Sequence, residues 1–449
     1  MVDSEKTGIS RRQWLCATSG LLAAQALADN TRPADMPAVD YPRATSGDTG
    51  VEPGWEARLT VTVGREKADL CGTSDKVIQA AADYVARLGG GTVQVLPGEY
   101  RLRNSIFLPS GVRIVGSGLD SVLSKEAAVE TTLEANSDWY DQEVTLADAS
   151  GFEVGDGICL ITENPHHGGT DVVKRTLVAR SGNRFKLDKA LRKNYWVAKT
   201  PRALSLFPLI TAEYQSRLAI ENIALDGNRD NNPFLNGNYS GCIWFQDCDR
   251  ITLRKVTARN QNGDGISWQI GHDVLVEGCH AHDNAGLGLH PGSGSQRSII
   301  RNNRIERNKI GLFFCWGATY GLAEKNQVLD SGETGISIGH RDNGNLVREN
   351  EVRGSGKTGI LFREEREGFA PTANRIEGNR IVDNGAEDSA AVDIQGQANG
   401  NTLAGNAIRE TRAAASRIGI RVGASAKDNS LIDNTIEGFA VAVQDLSKG

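Results

Sequence analysis

The chain is poor in the residues that mark several large classes of protein. It has only 12 prolines in 449 residues and no glycine triplet period, which excludes a collagen-like rod and a proline-rich disordered chain. Its 50 lysines and arginines are outnumbered by 56 acidic residues, so the net charge is −6. The basic excess typical of nucleic-acid-binding proteins is therefore missing. With 39% hydrophobic and 24% charged residues, the composition still suits a soluble protein with a real core.

Cysteine is present, but not in a pattern that binds metal or builds a disulfide framework. None of the seven cysteines forms a C-x-x-C pair, and His166 with His167 has no carboxylate or cysteine at ligand spacing. The acidic loop 226–230 could hold calcium, but solvation is the default for such a loop, so no cofactor is assigned. Three cysteines lie in apolar, strand-like segments and are predicted to be free buried thiols: Cys242, Cys279 and Cys315.

An export signal is predicted at the N-terminus. Residues 10–15 (SRRQWL) resemble the twin-arginine motif, an apolar run follows, and Ala26-Leu27-Ala28 offers a small-x-small cleavage site. The run is too short for a permanent membrane span. We therefore predict a twin-arginine signal peptide at 1–28 and a linker at 29–58. The mature protein is expected in the periplasm or outside the cell, with no membrane partner.

Glycine and asparagine are abundant instead, and they recur at a regular interval. Glycine accounts for 51 residues, and 24 of the 30 asparagines lie from Asn222 onward. Segments of the form Gly-aliphatic-x-apolar repeat at steps of 21, 25, 24 and 24 residues, at 265–268, 286–289, 311–314, 335–338 and 359–362. A repeat of this length, with apolar residues at period 2, holds about three short strands with glycine and asparagine at its corners. Stacked repeats of that kind form a parallel β-helix.

The segments before the repeats add a helix and an insertion to this fold. Ser74 is a suitable N-cap, and apolar residues at helical spacing follow it up to Leu88, which predicts a helix that caps the stack. Short β segments with hairpin turns predict a small β insertion at about 125–205. No catalytic pattern is visible in the insertion.

Several segments resemble a known superfamily. Residues 96–100 (LPGEY), 108–112 (LPSGV) and 223–228 (IALDGN) are similar to recurring segments of the pectate-lyase-like right-handed parallel β-helix superfamily. The resemblance implies an all-β fold, a right-handed parallel β-helix over 59–449. It does not imply one activity, because this superfamily includes lyases, hydrolases, epimerases and non-catalytic proteins.

Side chains that alternate with the buried ones point outward from one strand of each repeat. The repeat alignment predicts one outward column of Gln246, Gln269, His290, Cys315, Gly339 and Arg363. It predicts a neighbouring column of Trp244, Ser267, Gly288, Phe313, Ser337 and Leu361. Because coils stack at ~4.8 Å, groups from adjacent coils can reach one sugar unit. A ledge that collects histidines, arginines, carboxylates and tryptophans suits an extended polysaccharide.

Roles are assigned to the residues of this ledge. The predicted catalytic residues are His290, His340, Arg341, Arg363 and Glu364. The predicted substrate-binding residues are Trp244, Gln246, Asp247, Asp264, Gln269, Trp316 and Asp342.

Four activities suit such a ledge. In a polysaccharide lyase, a histidine removes the proton beside a uronate carboxylate while an arginine faces that carboxylate. In an inverting hydrolase, two carboxyls act as acid and base, and the candidates are Asp247 with Asp264, or Glu364 and Glu365 with Asp342. The Asp-Asp pair and Gly-His-Gly of polygalacturonases are missing, which argues against a hydrolase of that family but not against every β-helix hydrolase. The acidic trio with a following Arg-x-Pro-x-x-Arg of calcium-dependent pectate lyases is missing as well. Of these activities, the lyase is preferred. The ledge would also suit a C5-epimerase or a non-catalytic glycan-binding protein.

Overall fold

The computed structural model describes residues 54–164, 167–412 and 416–448. The predicted signal peptide, most of the predicted linker and His166 lie outside the described residues. Within the described ranges, no helix is long and apolar enough to cross a membrane.

One α-helix lies at the start of the stack. It spans Asp75–Arg87, follows Ser74 and buries one apolar face, made of Ile78, Ala81, Ala82 and Val85. Gly89 and Gly90, with φ of 87° and 107°, end it. The predicted capping helix is therefore confirmed. Single turns of 3₁₀ helix occur at Trp55–Ala57, Val197–Lys199 and Arg229–Asn231.

Each coil of the stack contributes one strand to each of three parallel sheets. Sheet 1 has eleven strands: Ile106–Phe107, Ile210–Glu213, Gly241–Gln246, Asp264–Gln269, Leu287–Pro291, Ile310–Phe313, Thr334–Ile338, Thr358–Phe362, Ala390–Ile394, Ile418–Val422 and Val441–Asp445. Sheets 2 and 3 are joined by two long strands that belong to both, Val112–Lys125 and Ser216–Asp226.

The other strands of sheets 2 and 3 follow in alternation. Sheet 2 contains Leu59–Gly64, Gly91–Val95, Asp249–Arg254, His272–Glu277, Ile299–Arg301, Leu322–Glu324, Leu346–Arg348, Arg375–Glu377, Thr402–Ala404 and Ser430–Ile432. Sheet 3 contains Gly98–Leu102, Thr257–Arg259, His280–His282, Arg304–Glu306, Gln327–Leu329, Glu351–Arg353, Arg380–Val382, Ala407–Arg409 and Thr435–Glu437. The short strand Leu70–Cys71 pairs with the end of Leu59–Gly64. The prediction of an all-β, right-handed parallel β-helix with about three strands per coil is confirmed.

Buried asparagines connect the coils at two corners. At each corner, the side-chain oxygen of one asparagine accepts the backbone N–H and the side-chain N–H of the asparagine one coil earlier. One ladder contains Asn303, Asn326, Asn350, Asn379, Asn406 and Asn434. The other contains Asn345, Asn374, Asn401 and Asn429. Most of the asparagine excess is thus architectural, because each side chain satisfies buried backbone groups at a corner.

The outer face of sheet 2 carries charges of alternating sign. Register places Glu221, Arg254, Glu277, Arg301, Glu324, Arg348 and Glu377 opposite one another in successive coils. Glu277 accepts from Arg301 at 2.6 Å and from Arg254 at 3.0 Å. Burial acts to raise the pKa of Glu277, but these two arginines outweigh it and the pKa lies below its ordinary value. The glutamates and arginines of this face therefore compensate one another's charge.

The insertion is a separate antiparallel sheet between the third strand of one coil and the first strand of the next. Its six strands are Glu130–Thr132, Glu143–Thr145, Gly157–Glu163, Thr170–Ser181, Arg184–Leu187 and Arg202–Leu204. It has its own apolar cluster around Phe152, Phe185 and Tyr195. The predicted β insertion is present, and it also covers part of the predicted ledge, at Trp244.

Five of the described cysteines are free and buried, among them Cys242, Cys279 and Cys315, as predicted. The sixth, Cys71, is free and exposed.

Candidate functional site

The outward column of sheet 1 differs from the predicted one by a slip of two residues at a single coil. Ser267 pairs with His290, and Trp268 with Pro291, so Gly288 does not lie opposite Ser267. The observed column reads Trp244, Ser267, His290, Phe313, Ser337, Leu361, Asp393 and Arg421. The slip moves His290 out of the column of Gln246 and Gln269 and into the column of Trp244.

Trp244 is covered by the insertion. It lies outside the apolar interior cluster that contains its neighbours Ile243 and Phe245, yet only 3% of its surface is exposed. The ammonium of Lys174, from the long insertion strand Thr170–Ser181, lies 3.2 Å from the centre of its ring. The predicted substrate-binding residue Trp244 therefore lies under the insertion, which occupies its outer face.

The contact between Lys174 and Trp244 predicts a pH-dependent stability. Burial lowers the pKa of Lys174 to about 7, so at higher pH the unfolded chain binds more protons than the folded chain. Stability should rise from about pH 7 towards the ordinary lysine pKa, by at most ~1.4 kcal/mol per pH unit from this group. We expect Lys174→Met to remove that part of the slope in denaturant titrations, while the exposed Lys186→Met retains it. An unchanged slope in Lys174→Met would show that Lys174 is solvated.

Asp264 and His290 form a buried pair beneath the loop 232–240. Asp264 Oδ2 lies 2.8 Å from His290 Nδ1, and Asp264 Oδ1 accepts the N–H of Leu287 at 2.9 Å. The loop closes over them at Gly237, where a Cβ would overlap the Asp264 carboxylate. The Ser267 hydroxyl donates to the Gly237 carbonyl at 2.9 Å. Both Asp264 and His290 are 2% exposed, so neither contacts solvent in this arrangement.

Gln269 belongs to the same closed network. Its side-chain N–H donates to the Ser267 hydroxyl at 3.0 Å, and its oxygen accepts the N–H of Ser293 at 2.9 Å. The predicted substrate-binding residues Asp264 and Gln269 are thus buried, with their polar atoms engaged inside the protein. Gln246 and Asp247 are half-buried and bond to each other at 3.2 Å.

Asp342 and Arg363 form a second internal anchor. Asp342 has no exposed surface, and its carboxylate accepts the backbone N–H groups of Gly317, Ala318 and Gly339 at 2.7–2.9 Å. The Arg363 guanidinium completes it at 3.1 Å and lies 4.2 Å above the Phe313 ring. Burial raises the pKa of Asp342, and Arg363 opposes that shift. The predicted substrate-binding residue Asp342 is thus buried and fixes the turn that carries His340.

Arg363 is engaged on every side. Besides Asp342, it donates to the Ser337 hydroxyl at 2.8 Å and to the Phe314 carbonyl at 2.9 Å. In this arrangement the guanidinium of Arg363, which was predicted to face a substrate carboxylate, binds groups of the protein.

An open groove lies beside this anchor, over the turns that follow sheet 1. It encloses about 510 Å³ and is lined by His340, Glu364, Glu365, Arg366, Phe369, Gly396, Gln397 and Ser425. One wall is the connection 363–374, which has twelve residues where the neighbouring connections 339–345 and 395–401 have seven each. The extra residues bring Glu365 and Phe369 against His340.

His340 is positioned from three sides. Its ring stacks on Trp316 with centroids 4.7 Å apart and contacts Phe369 at 4.9 Å. Its Nδ1 lies 3.3 Å from Glu365 Oε2. Trp316 stays 61% exposed despite the stack, so its outer face is free for a ligand. The predicted residues His340, Trp316 and Glu364 therefore meet at one groove.

Two arginines packed against Phe369, a residue of the groove wall, have no carboxylate partner among the described residues. Arg341 and Arg366 are exposed, and their guanidiniums lie 5.4 and 4.6 Å from the centre of the Phe369 ring. Within the part of the chain that the structure describes, neither forms an ion pair, whereas the arginines of the sheet 2 ladder do. Unpaired cations around an exposed ring leave room for an anionic ligand.

Sequence reasoning missed Arg366 and Phe369, although a signal was available. In one asparagine ladder the step from Asn345 to Asn374 is 29 residues, whereas in the other ladder the step from Asn326 to Asn350 is 24. The longer step marks the coil whose connection protrudes. Among the described residues, no group of three or more His, Cys, Asp or Glu side chains is arranged to hold a metal ion.

Comparisons with known proteins agree with the fold. The family model described as the right-handed β-helix region matches residues 222–363 and 311–448. No curated protein matches the chain.

Several solved structures are similar in fold. The A-module of the mannuronan C-5 epimerase AlgE4 of Azotobacter vinelandii is 18% identical, over 83% of this chain and 92% of that one, with a TM-score of 0.46. The polygalacturonase of Erwinia carotovora ssp. carotovora is 15% identical, over 89% and 100%, with a TM-score of 0.44. The tailspike gp61 of Pseudomonas phage phi297 is 11% identical, over 82% and 76%, with a TM-score of 0.42. Structural similarity at this level does not indicate an activity.

Proposed function

The chain belongs to the right-handed β-helix family, and from this premise we propose that it cleaves a uronate-containing polysaccharide by β-elimination in the groove beside His340. One observation carries the proposal. An imidazole paired with a carboxylate lies in an open groove beside two arginines, Arg341 and Arg366, that lack carboxylate partners within the described chain. A proton acceptor beside unpaired cations is the arrangement that elimination next to a carboxylate requires.

His340 is the proposed base. When Nδ1 donates its proton to Glu365, Nε2 carries the lone pair, and the carboxylate stabilises the imidazolium that forms on proton transfer. The base removes the proton on the carbon beside the uronate carboxylate. The electrons of that C–H bond form the new double bond, and the glycosidic oxygen leaves with its electron pair. Glu364, which is exposed at the same groove, is the proposed donor of a proton to that oxygen.

Arg341 and Arg366 are the proposed partners of the substrate carboxylate. Negative charge accumulates on that carboxylate as the proton leaves, so cations beside it stabilise the transition state more than the ground state. Phe369 holds both guanidiniums at the groove without neutralising them. The outer face of Trp316 supplies a platform for the apolar face of a sugar ring.

Inverting hydrolysis is a second candidate, favoured by one specific observation. Glu364 and Glu365 both line the groove, and an inverting hydrolase uses two carboxyls, one as acid and one as base. A C5-epimerase would use the lyase groups and return the proton, and a glycan-binding protein would use the groove without turnover. We also propose, from the N-terminal motif, that the protein is exported by the twin-arginine route and meets its polysaccharide outside the cytoplasm.

An assay on polyuronates tests the proposal. Purified protein is incubated with alginate, polygalacturonate, hyaluronan and neutral glycans, and both ultraviolet absorbance and new reducing ends are followed. A rise in absorbance with reducing ends is expected on one of the polyuronates, because elimination leaves an unsaturated uronide. Arg341→Ala and Arg366→Ala should each reduce kcat/KM about tenfold or more. Reducing ends without absorbance would establish hydrolysis and overturn the lyase, and uronate inversion without cleavage would establish epimerisation.

A further inference from the structure

The outer end of the insertion presents two exposed aromatic rings. Trp139 and Tyr140 follow one another in the chain and are 52% and 61% exposed. Their ring centroids are 5.7 Å apart and the ring planes meet at 79°, so the two rings form an open corner. Large exposed aromatic side chains are costly to leave in water and commonly mark a binding surface.

The corner is held rigidly by polar contacts around it. The backbone N–H of Trp139 donates to the Asn194 side chain at 2.9 Å, and its carbonyl accepts the N–H of Arg192 at 2.6 Å. The Asp138 carboxylate accepts the Trp196 indole N–H at 2.8 Å and the Tyr140 hydroxyl at 3.3 Å. The backbone that carries both rings is therefore fixed, and the Tyr140 ring is also held through its hydroxyl.

This corner repeats the chemistry of the groove. Of the described tryptophans, Trp139 and Trp316 are exposed, whereas the others are buried or half-buried. An exposed arginine with a left-handed backbone is linked to each. Arg192, with φ of 64°, donates its backbone N–H to the Trp139 carbonyl, and Arg341, with φ of 57°, follows His340, the residue that stacks on Trp316. Among the described residues, neither guanidinium has a carboxylate partner.

We propose that the corner of Trp139, Tyr140 and Arg192 is an accessory binding site for the same anionic polysaccharide that enters the groove. The inference rests on the proposed function for the identity of the ligand. A sugar ring stacks on one aromatic face and meets the edge of the other, while Arg192 faces a uronate carboxylate. The site holds the polymer without reacting with it, because the two carboxylates beside it are engaged. Asp138 is bound by Trp196 and Tyr140, and Asp141 accepts the backbone N–H of Asp138.

A glycan fits this corner better than a protein partner. Stable protein interfaces use about 20–30 residues on each side, whereas the corner offers two rings and one guanidinium. A second attachment point also raises the effective concentration of a long polymer at the groove, with no gain for short fragments.

Binding and turnover measured separately test the accessory site. The protein is run in native gels containing alginate, polygalacturonate or hyaluronan, and the retardation gives the dissociation constant. Trp139→Ala/Tyr140→Ala and Arg192→Ala are each expected to weaken binding of one of these polymers about tenfold, while kcat/KM on short oligosaccharides is unchanged. Tyr84→Ala is the matched control, because Tyr84 is an exposed aromatic residue, 53% exposed, on the capping helix.

The outcomes separate this inference from the proposed function. If the wild type binds a polyuronate and the double variant binds it equally well, the accessory site is overturned whatever the assay of turnover shows. If no polyuronate is bound by the wild type, the accessory site is also overturned. If binding is lost in the double variant but no polymer is ever cleaved, the accessory site stands and the lyase proposal fails.

Discussion

Replacing His340 by glutamine is expected to reduce kcat/KM on the polyuronate substrate by about 10²–10⁴-fold, the usual contribution of a positioned general base. Glutamine has a similar length and keeps a polar atom near Glu365, so the groove should retain its shape. It cannot accept and release a proton, so the chemical step loses its base while KM changes little.

His282→Gln is the control for this experiment. His282 also pairs with a carboxylate, since its Nδ1 lies 2.6 Å from Asp283 Oδ2, but it belongs to sheet 3 and does not line the groove. Its replacement should leave kcat/KM within about twofold of the wild type, given that it touches no reacting group. If His340→Gln retains more than a tenth of the wild-type kcat/KM while it is correctly folded, the groove beside Trp316 is not the catalytic site.

The fold could be predicted because its signals are local and repeat many times. Each coil presents an apolar strand, a glycine and a corner asparagine at a nearly constant spacing. A wrong assignment in one coil therefore does not change the predicted fold, because the other coils show the same pattern. The capping helix could be predicted equally well, since Ile78, Ala81, Ala82 and Val85 share one helical face. These features depend on residues that are close in sequence or one coil apart.

The strand register at His290 could not be predicted from such local signals. Gly286-Leu287 and Gly288-Leu289 both fit the repeat, and they differ by two residues. A shift of two residues keeps every side chain on the same face of a strand, so the alternation of apolar and polar residues does not detect it. The observed register is decided by contacts outside the pattern, among them the bond from the Leu287 N–H to Asp264.

The candidate site was harder to predict because burial on the outside of a coil is set by distant segments. Trp244 and His290 do point away from the apolar interior, as predicted, but the insertion and the loop 232–240 cover them. Conversely, the groove exists because one connection is longer than its neighbours and folds back onto His340. No periodic pattern encodes which loop covers which strand.

Replacing Asp342 by alanine is expected to destabilise the protein by about 3–5 kcal/mol, the largest stability effect proposed for a single side chain here. The change removes the acceptor of three backbone N–H groups, from Gly317, Ala318 and Gly339, and leaves the half-buried Arg363 without its counter-charge. Buried donors without an acceptor and a cation without a partner each carry a desolvation cost. The same turn carries His340 and Arg341, so polyuronate cleavage should fall together with stability.

Asp393→Ala is the matched comparison, because it separates the contribution of the backbone donors from that of the ion pair. Asp393 is also buried on sheet 1, but its described partners are the side chains of Arg421 and Gln395, with no backbone N–H among them. Its loss should cost about 1–2 kcal/mol in urea unfolding, since Arg421 can turn towards solvent. Adding Arg363→Met to Asp342→Ala should recover part of the lost stability, because it removes the unpaired cation while the three amides stay unsatisfied. A cost for Asp342→Ala no larger than that for Asp393→Ala would mean that water replaces the carboxylate at those amides, and the turn beneath the groove would then not depend on Asp342.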